Sequence, residues 1–130
     1  MLLAKEFGEL CEMEFAVKAM RKGYIVSKPL SETKYDLVLD TGNEPLRIQI
    51  KSTRTKGKTD NSYCVLVSYG NEQKKLYNKD QIDFFGIYIS DRETWYIIPV
   101  EFINSAKITL YIGSEVSKYE QFREAWHLLD

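Results

Sequence analysis

The sequence predicts an α+β fold, a central mixed β-sheet flanked by helices. Three observations carry that expectation. Residues 2–22 contain no Pro and a single Gly, with apolar residues at helical spacing. Residues 24–112 break into short apolar or alternating runs bounded by turn residues. Residues 116–128 return to a helical pattern. A chain of 130 residues suits one core, so a single domain over residues 1–130 is expected.

At 100° per residue, Leu3, Phe7, Leu10, Met13, Val17 and Met20 fall on one side of the first helix, the side expected to face the core. Glu9 shares a sector with Met13, Ala16 and Met20, which turns its carboxylate toward the core edge. Gly23 suits a left-handed cap, with Arg21 and Lys22 in the last turn. A short strand over 24–28 stops at Pro29. KYDLVLD (34–40) alternates, with Tyr35, Leu37 and Leu39 on one side and Asp36, Val38 and Asp40 on the other. TGNEP is a turn. LRIQIKST (46–53) sends Leu46, Ile48 and Ile50 one way and Arg47, Gln49 and Lys51 the other. YCVLVSY (63–69) follows a polar loop as a further strand. Segments 83–90 and 94–100 form a hairpin, and 107–112 adds an edge strand.

Lys and Arg total 18 against 19 Asp and Glu, a net charge of −1, which excludes a simple polycation. Nucleic-acid binding stays open because the charge is uneven. Arg47, Lys51, Arg54, Lys56 and Lys58 fall in one stretch with no acid. Lys74, Lys75 and Lys79 form a second cluster, and Lys28 flanks the strand bearing Asp36. Such clusters contact phosphates even on a near-neutral protein. No apolar run reaches the roughly 18 residues of a membrane span. The N-terminus lacks a signal pattern, and two Cys make no disulfide framework. These features lead us to expect a cytoplasmic protein with reduced thiols, no membrane partner, and Cys11 and Cys64 as small apolar groups. His127 has no second His to complete a zinc site. Tyr88, Trp95 and Tyr96 are expected in the core or an interface.

A hairpin between 34–40 and 46–53 brings Asp36 beside Gln49, with Lys51 two residues on and roughly 7 Å away on the same face. A carboxylate, an amide oxygen and an ammonium at one sheet end suit phosphodiester hydrolysis. A hard cation such as Mg²⁺ takes oxygen ligands, which Asp36, Gln49 and the backbone carbonyl of Ile50 offer, with Glu9 as a further carboxylate. Lys51 is placed to hold a water or offset developing charge.

The ordered set of motifs resembles the PD-(D/E)xK nuclease superfamily, which includes restriction enzymes and archaeal Holliday-junction resolvases. It is most similar to the small group I intron-encoded homing endonuclease branch. The residues that carry the likeness are Gly8-Glu9, Gly23-Tyr24-Ile25-Val26 with Pro29, Tyr35-Asp36-Leu37-Val38, Gln49-Ile50-Lys51-Ser52-Thr53-Arg54, Asp83-Phe84-Phe85 and Ile98-Pro99-Val100. Tyr35 stands where the superfamily often has Pro, and Gln49 replaces the usual acid.

The resemblance implies a restriction-endonuclease-like core and a Mg²⁺-dependent endonuclease, with Mn²⁺ as a substitute. It implies cleavage of duplex DNA at specific sites, with Glu9, Asp36, Gln49 and Lys51 as catalytic residues; Glu6 and Glu12 are the alternative helix acids. Lys28, Arg47, Arg54, Lys56, Lys58, Lys74 and Lys75 are the expected DNA contacts. The alternatives are a structure-selective Holliday-junction resolvase, a DNA-binding module that has lost catalysis, and an interaction domain without nucleic acid. Cutting both strands needs two sites, so a homo-oligomer is expected, a dimer or, by resemblance, a tetramer. Its expected interface is the aromatic set Tyr111, Tyr119, Phe122 and Trp126.

Overall fold

Helix α1 spans Ala4–Arg21 in the computed structural model, which describes residues 2–130. Glu6 closes its first turn by accepting the Leu3 N–H at 2.9 Å. Gly23, at φ +91°, ends it in the left-handed region that glycine adopts without strain. The strands are β1 (Ile25–Ser27), β2 (Leu37–Asp40), β3 (Leu46–Thr53), β4 (Ser62–Leu66), β5 (Ser68–Tyr69), β6 (Lys75–Leu76), β7 (Phe84–Ile89), β8 (Thr94–Pro99) and β9 (Lys107–Tyr111).

The central sheet runs β1-β2-β3-β7-β8 and is mixed. The β2–β3 and β7–β8 neighbours are antiparallel, whereas β3 and β7 are parallel, with Ile48 opposite Phe84. The segment between β3 and β7 crosses one face of the sheet, where β4 pairs with β9 as a separate ribbon. The other face is covered by α1 and the last C-terminal turn, through Trp126 and Leu129.

Strand alternation sorts the core into two layers. Ile48, Ile50, Trp95 and Ile97 pack with Cys11, Phe15 and Ala19 of α1 and with Leu37 and Leu39. Phe85, Ile87, Ile89, Tyr96 and Ile98 pack on the other side with Tyr63, Val65, Ile108 and Leu110. The helix lies close because of Gly86: a Cβ there would come within 2.6 Å of the Phe15 ring.

Several expectations are corrected. The core face of α1 is Cys11, Phe15 and Ala19; Leu3, Leu10, Met13, Val17 and Met20 are exposed on the opposite side. Both faces carry apolar residues at helical spacing, so periodicity alone does not separate them and selects the wrong one. Tyr35 packs in the layer opposite to Leu37 and Leu39, because β2 begins only at Leu37. The strand expected over 63–69 divides at Val67 into β4 and β5, which pair in different sheets. In place of a closing helix there are two 3-10 turns, Glu120–Phe122 and Trp126–Leu129. They are pinned by side-chain bonds: Glu120 accepts from the Tyr96 hydroxyl at 2.6 Å, and Glu124 from the Trp95 N–H at 2.8 Å. Tyr119 and Phe122 are therefore core residues, and Trp126 stacks on Phe15, which removes them as an oligomer surface. Only Tyr111 of that set is exposed.

Candidate active site

The candidate site forms where β2 ends and β3 continues. Leu37 opposite Ile48 is the last ladder pair between these strands, and the Asp36 N–H still reaches the Ile48 carbonyl at 2.7 Å. Beyond that point the Ile50 N–H has lost a main-chain acceptor. The Asp36 carboxylate replaces it, accepting that N–H through Oδ2 at 2.8 Å. One strand's premature end thus fixes the orientation of a carboxylate. Gln49 lies beside it, with Nε2 donating to the Ile50 carbonyl at 3.2 Å.

Lys51 leaves the same face of β3 as Gln49 and points into an aromatic pocket. Its Nζ lies 5.3 Å from the centre of the Tyr77 ring and 3.5 Å from the Ser68 carbonyl. Tyr77 stands edge-on to both Tyr69 and Phe85, so the platform under Lys51 is braced by the core. Sequence reasoning did not find Tyr77. It lies far along the chain in a polar stretch (KKLYNKD), and only the fold brings it under β3.

The electrostatics of the site are dominated by burial. Burial pushes Asp36 up from 3.8 to about 6; the Ile50 N–H opposes this, Glu12 adds to it, and Lys51 and Lys28 lower it. Lys51 is pushed down by burial, partly offset by Asp36 and reinforced by Lys74. Burial and the nearby Asp36 charge push Tyr77 up to about 12, so its hydroxyl stays protonated.

Glu9, the helix acid expected at the site, is exposed. The helix carboxylate whose charge bears on Asp36 is Glu12, half-buried and paired with Lys28 Nζ at 3.3 Å. The phase of α1 explains the change. A core face through Cys11, Phe15 and Ala19 turns residue 12 toward the sheet and residue 9 away from it.

Arg47 is also corrected. Its guanidinium bonds the Asp83 carboxylate and donates to the carbonyls of Asp80 and Lys79, both at 2.7 Å. It clamps β3 to the entry of β7 and has little capacity left for a phosphate. Burial works to raise Asp83, but the Arg47 hydrogen bonds and charge outweigh it and hold the carboxyl below its ordinary range. Such a pair contributes stability above the unfolded pKa of about 4 and loses it as pH falls through the lower native value. Arg47→Leu is therefore expected to cost about 1–3 kcal/mol at neutral pH. Its deficit should shrink in acid, and the salt dependence of DNA binding should be unchanged. Thermal melts across pH and binding titrations at several salt concentrations check this. A variant that melts normally but binds DNA with a shallower salt slope would return Arg47 to the DNA contacts.

The remaining cations are more available. Arg54, Lys56 and Lys58 are exposed on the loop leaving β3, with Arg54 over the Phe7 ring at 5.3 Å. Lys74 donates to the Gly70 carbonyl at 2.8 Å, near enough to Lys51 to depress it, and Lys75 is exposed beside it. Lys34, 4.1 Å from the Tyr69 ring centre, adds a further cation to this side.

Among the described residues there is no group of three or more His, Cys, Asp or Glu side chains that could hold a metal. A cation here would rely on one or two carboxylates plus neutral oxygens. Asp36, the Gln49 amide oxygen and the Ile50 carbonyl are such a set, and they suit a hard divalent ion more than zinc. The buried, up-shifted Asp36 carboxylate fits that role, since a cation would supply the charge its surroundings lack.

Asp36 just before β2 and Lys51 on β3 stand at the open end of a β-hairpin, with Glu12 of the first helix near Asp36, the order of residues expected of the PD-(D/E)XK class. The chain belongs to the PD-(D/E)XK endonuclease family, which it matches over residues 3–129. Nucleases of this family generally use divalent metal ions. Among solved structures, the chain is similar to a bacterial homing endonuclease, I-Ssp6803I, at 28% identity. That likeness has a TM-score of 0.85 and covers 97% of this chain and 92% of the other. It is similar in fold to Archaeoglobus fulgidus Hjc, a Holliday junction resolvase from an archaeal hyperthermophile, at 14% identity. There the TM-score is 0.61, with 93% of each chain covered. No curated protein sequence matches the chain. No helix among the described residues is long and apolar enough to cross a membrane.

Proposed function

We propose that this protein is a Mg²⁺-dependent deoxyribonuclease that cuts duplex DNA at specific sites, in the manner of an intron-homing endonuclease. The observation that carries the reading is the Asp36 carboxylate, tied to the Ile50 N–H beside Gln49 and Lys51, in a chain of this nuclease family. Asp36, the Gln49 amide oxygen and the Ile50 carbonyl would hold the cation, with Glu12 near enough to assist. The bound ion would polarise a phosphoryl oxygen and acidify a water. Asp36 is oriented by the Ile50 N–H. Lys51 orients the attacking water and offsets charge that develops at the phosphorus, from a position braced by Tyr77. Its lowered pKa makes proton exchange with that water easier than for an exposed lysine.

Lys28, Arg54, Lys56, Lys58, Lys74 and Lys75 are the proposed backbone contacts, and their charge would make binding strongly salt-dependent. A homo-oligomer, dimer or tetramer, would supply the second site needed to cut both strands. The proposed setting is the cytoplasm. The test is incubation with supercoiled plasmid and genomic DNA, with Mg²⁺, with Mn²⁺ and with chelator. The expected result is a small number of discrete fragments in Mg²⁺ or Mn²⁺ and none in chelator. Preferential cleavage of four-way junctions would replace the reading with a resolvase. DNA binding without cleavage in either metal would reduce it to a binding module.

A further inference from the structure

We infer that the outward face of α1 is a self-association surface, on which a second copy of this chain docks its own α1 in antiparallel orientation. Leu10 (37% exposed), Met13 (63%), Val17 (47%) and Met20 (61%) form a ridge nearly opposite the core face. Their spacing alternates three and four residues, and Leu3, also exposed, extends it by one heptad with Glu6 between. This is the a/d spacing of a coiled-coil seam. Isolated exposed apolar residues need no explanation, but a continuous ridge along a helix does. The ridge is flanked by concavities on both sides. One, of about 610 Å³, is lined by Leu10, Met13 and Val17 with Glu14, Lys18 and Arg21. The other, of about 210 Å³, lies between Met13, Ala16 and Met20 and the strand residues Val26 and Leu37. A facing helix could seat its own ridge in these concavities.

Charge selects both the occupant and its direction. The acids of α1 crowd its first two-thirds, Glu6, Glu9, Glu12 and Glu14, while Lys18 and Arg21 close it. In an antiparallel pair related by a two-fold axis, like flanks face each other. Leu10 then lies opposite Met20 of the other copy, and Met13 opposite Val17. Glu14 comes level with Ala16, two residues from Lys18 and five from Arg21 of the other copy, within a long side chain's reach of both. A parallel pair would turn Glu14 toward Glu9 and Glu12 of the other copy and repel it. The surface is thus complementary to itself in one direction only, as a closed two-fold interface requires. This inference deepens the proposed oligomer, but its test is read without DNA or metal, so it stands or fails apart from the nuclease reading.

The test is sedimentation of the full chain over a range of concentrations. The wild type is expected at twice the chain mass of 15.2 kDa or a higher multiple. Met13→Glu with Val17→Glu is expected to halve the assembly mass while circular dichroism stays unchanged, since both side chains already face solvent. Orientation is read by oxidative cross-linking. Met13→Cys chains mixed with Val17→Cys chains should form a covalent dimer that neither forms alone. A wild type that sediments as a monomer at every concentration, or a double variant of undiminished mass, overturns the inference. So does cross-linking by each single variant alone.

Discussion

Lys51→Ala protein is expected to bind duplex DNA within a few-fold of the wild type and to cut it at least about 10³-fold more slowly. The expectation follows from where the ammonium sits. Nζ is half-buried over the Tyr77 ring and beside the Ser68 carbonyl, and burial holds its pKa below that of an exposed lysine. A lysine that chiefly grips a phosphate in the ground state would instead be extended, fully charged and mobile, as Lys56 and Lys58 are on the exposed loop. Losing one such contact would flatten the salt dependence by about one unit of slope; Lys51→Ala should leave the slope unchanged. Lys51→Arg should fail nearly as badly. The planar fork is larger than an ammonium, and it does not lower its pKa when buried. Single-turnover cleavage in Mg²⁺, with binding titrations on the same preparations, measures both halves. Cleavage within tenfold of the wild type would remove Lys51 from the chemistry. Equal loss of binding and cleavage would make it a phosphate contact.

The parts of this site that the sequence exposed are local in character. Asp36, just before β2, and Gln49 and Lys51, on β3, belong to one short hairpin, so its register suffices to bring them near one another. The pairing of Leu37 with Ile48 is the register that alternation implies. The helix acid was not legible in the same way. Its identity depends on the rotational phase of α1, and that phase is set by Phe15 fitting over Gly86, a contact between residues far apart in the chain. Leu10, Met13, Val17 and Met20 of α1 point outward, so a reading from helical spacing chose Glu9 where the packed helix presents Glu12. Arg47 misled for a related reason. Its charge is visible in the sequence, but Asp83, which absorbs it, sits on the far side of a crossover. The C-terminal aromatics looked like a helix face because nothing local shows that Glu120 and Glu124 are drawn onto β8 by Tyr96 and the Trp95 N–H.

Asp36→Asn is expected to abolish cleavage and, in metal-free protein at neutral pH, to make the fold more stable. A structural carboxylate would do the opposite. Asp36 is raised from 3.8 to about 6, chiefly by burial and secondarily by Glu12. A shift of about two units corresponds to about 3 kcal/mol of penalty on the ionised form, an upper figure because the group keeps some contact with water. An Asn oxygen can still accept the Ile50 N–H, so the hydrogen bond that orients residue 36 survives while the charge is removed. A gain of about 1–2 kcal/mol follows, which for a chain of this size is about 3–8 °C in Tm.

The pH dependence gives the sign. Because the native pKa lies above the unfolded one, the native state holds the proton longer, and stability falls as pH rises through the window from 3.8 to about 6. Below that window wild type and variant should melt together. Above it the gap should be fully open. Adding Mg²⁺ should then raise the wild-type Tm and close the gap, by mass action on a site the variant has lost, and should leave the variant unmoved. Thermal melts from acid to neutral pH, with chelator and then with Mg²⁺, read this without any DNA. A variant that melts below the wild type at neutral pH in chelator would mean that the carboxylate serves the fold. A variant that melts above it would mean that the buried charge opposes the fold and serves the proposed cation site.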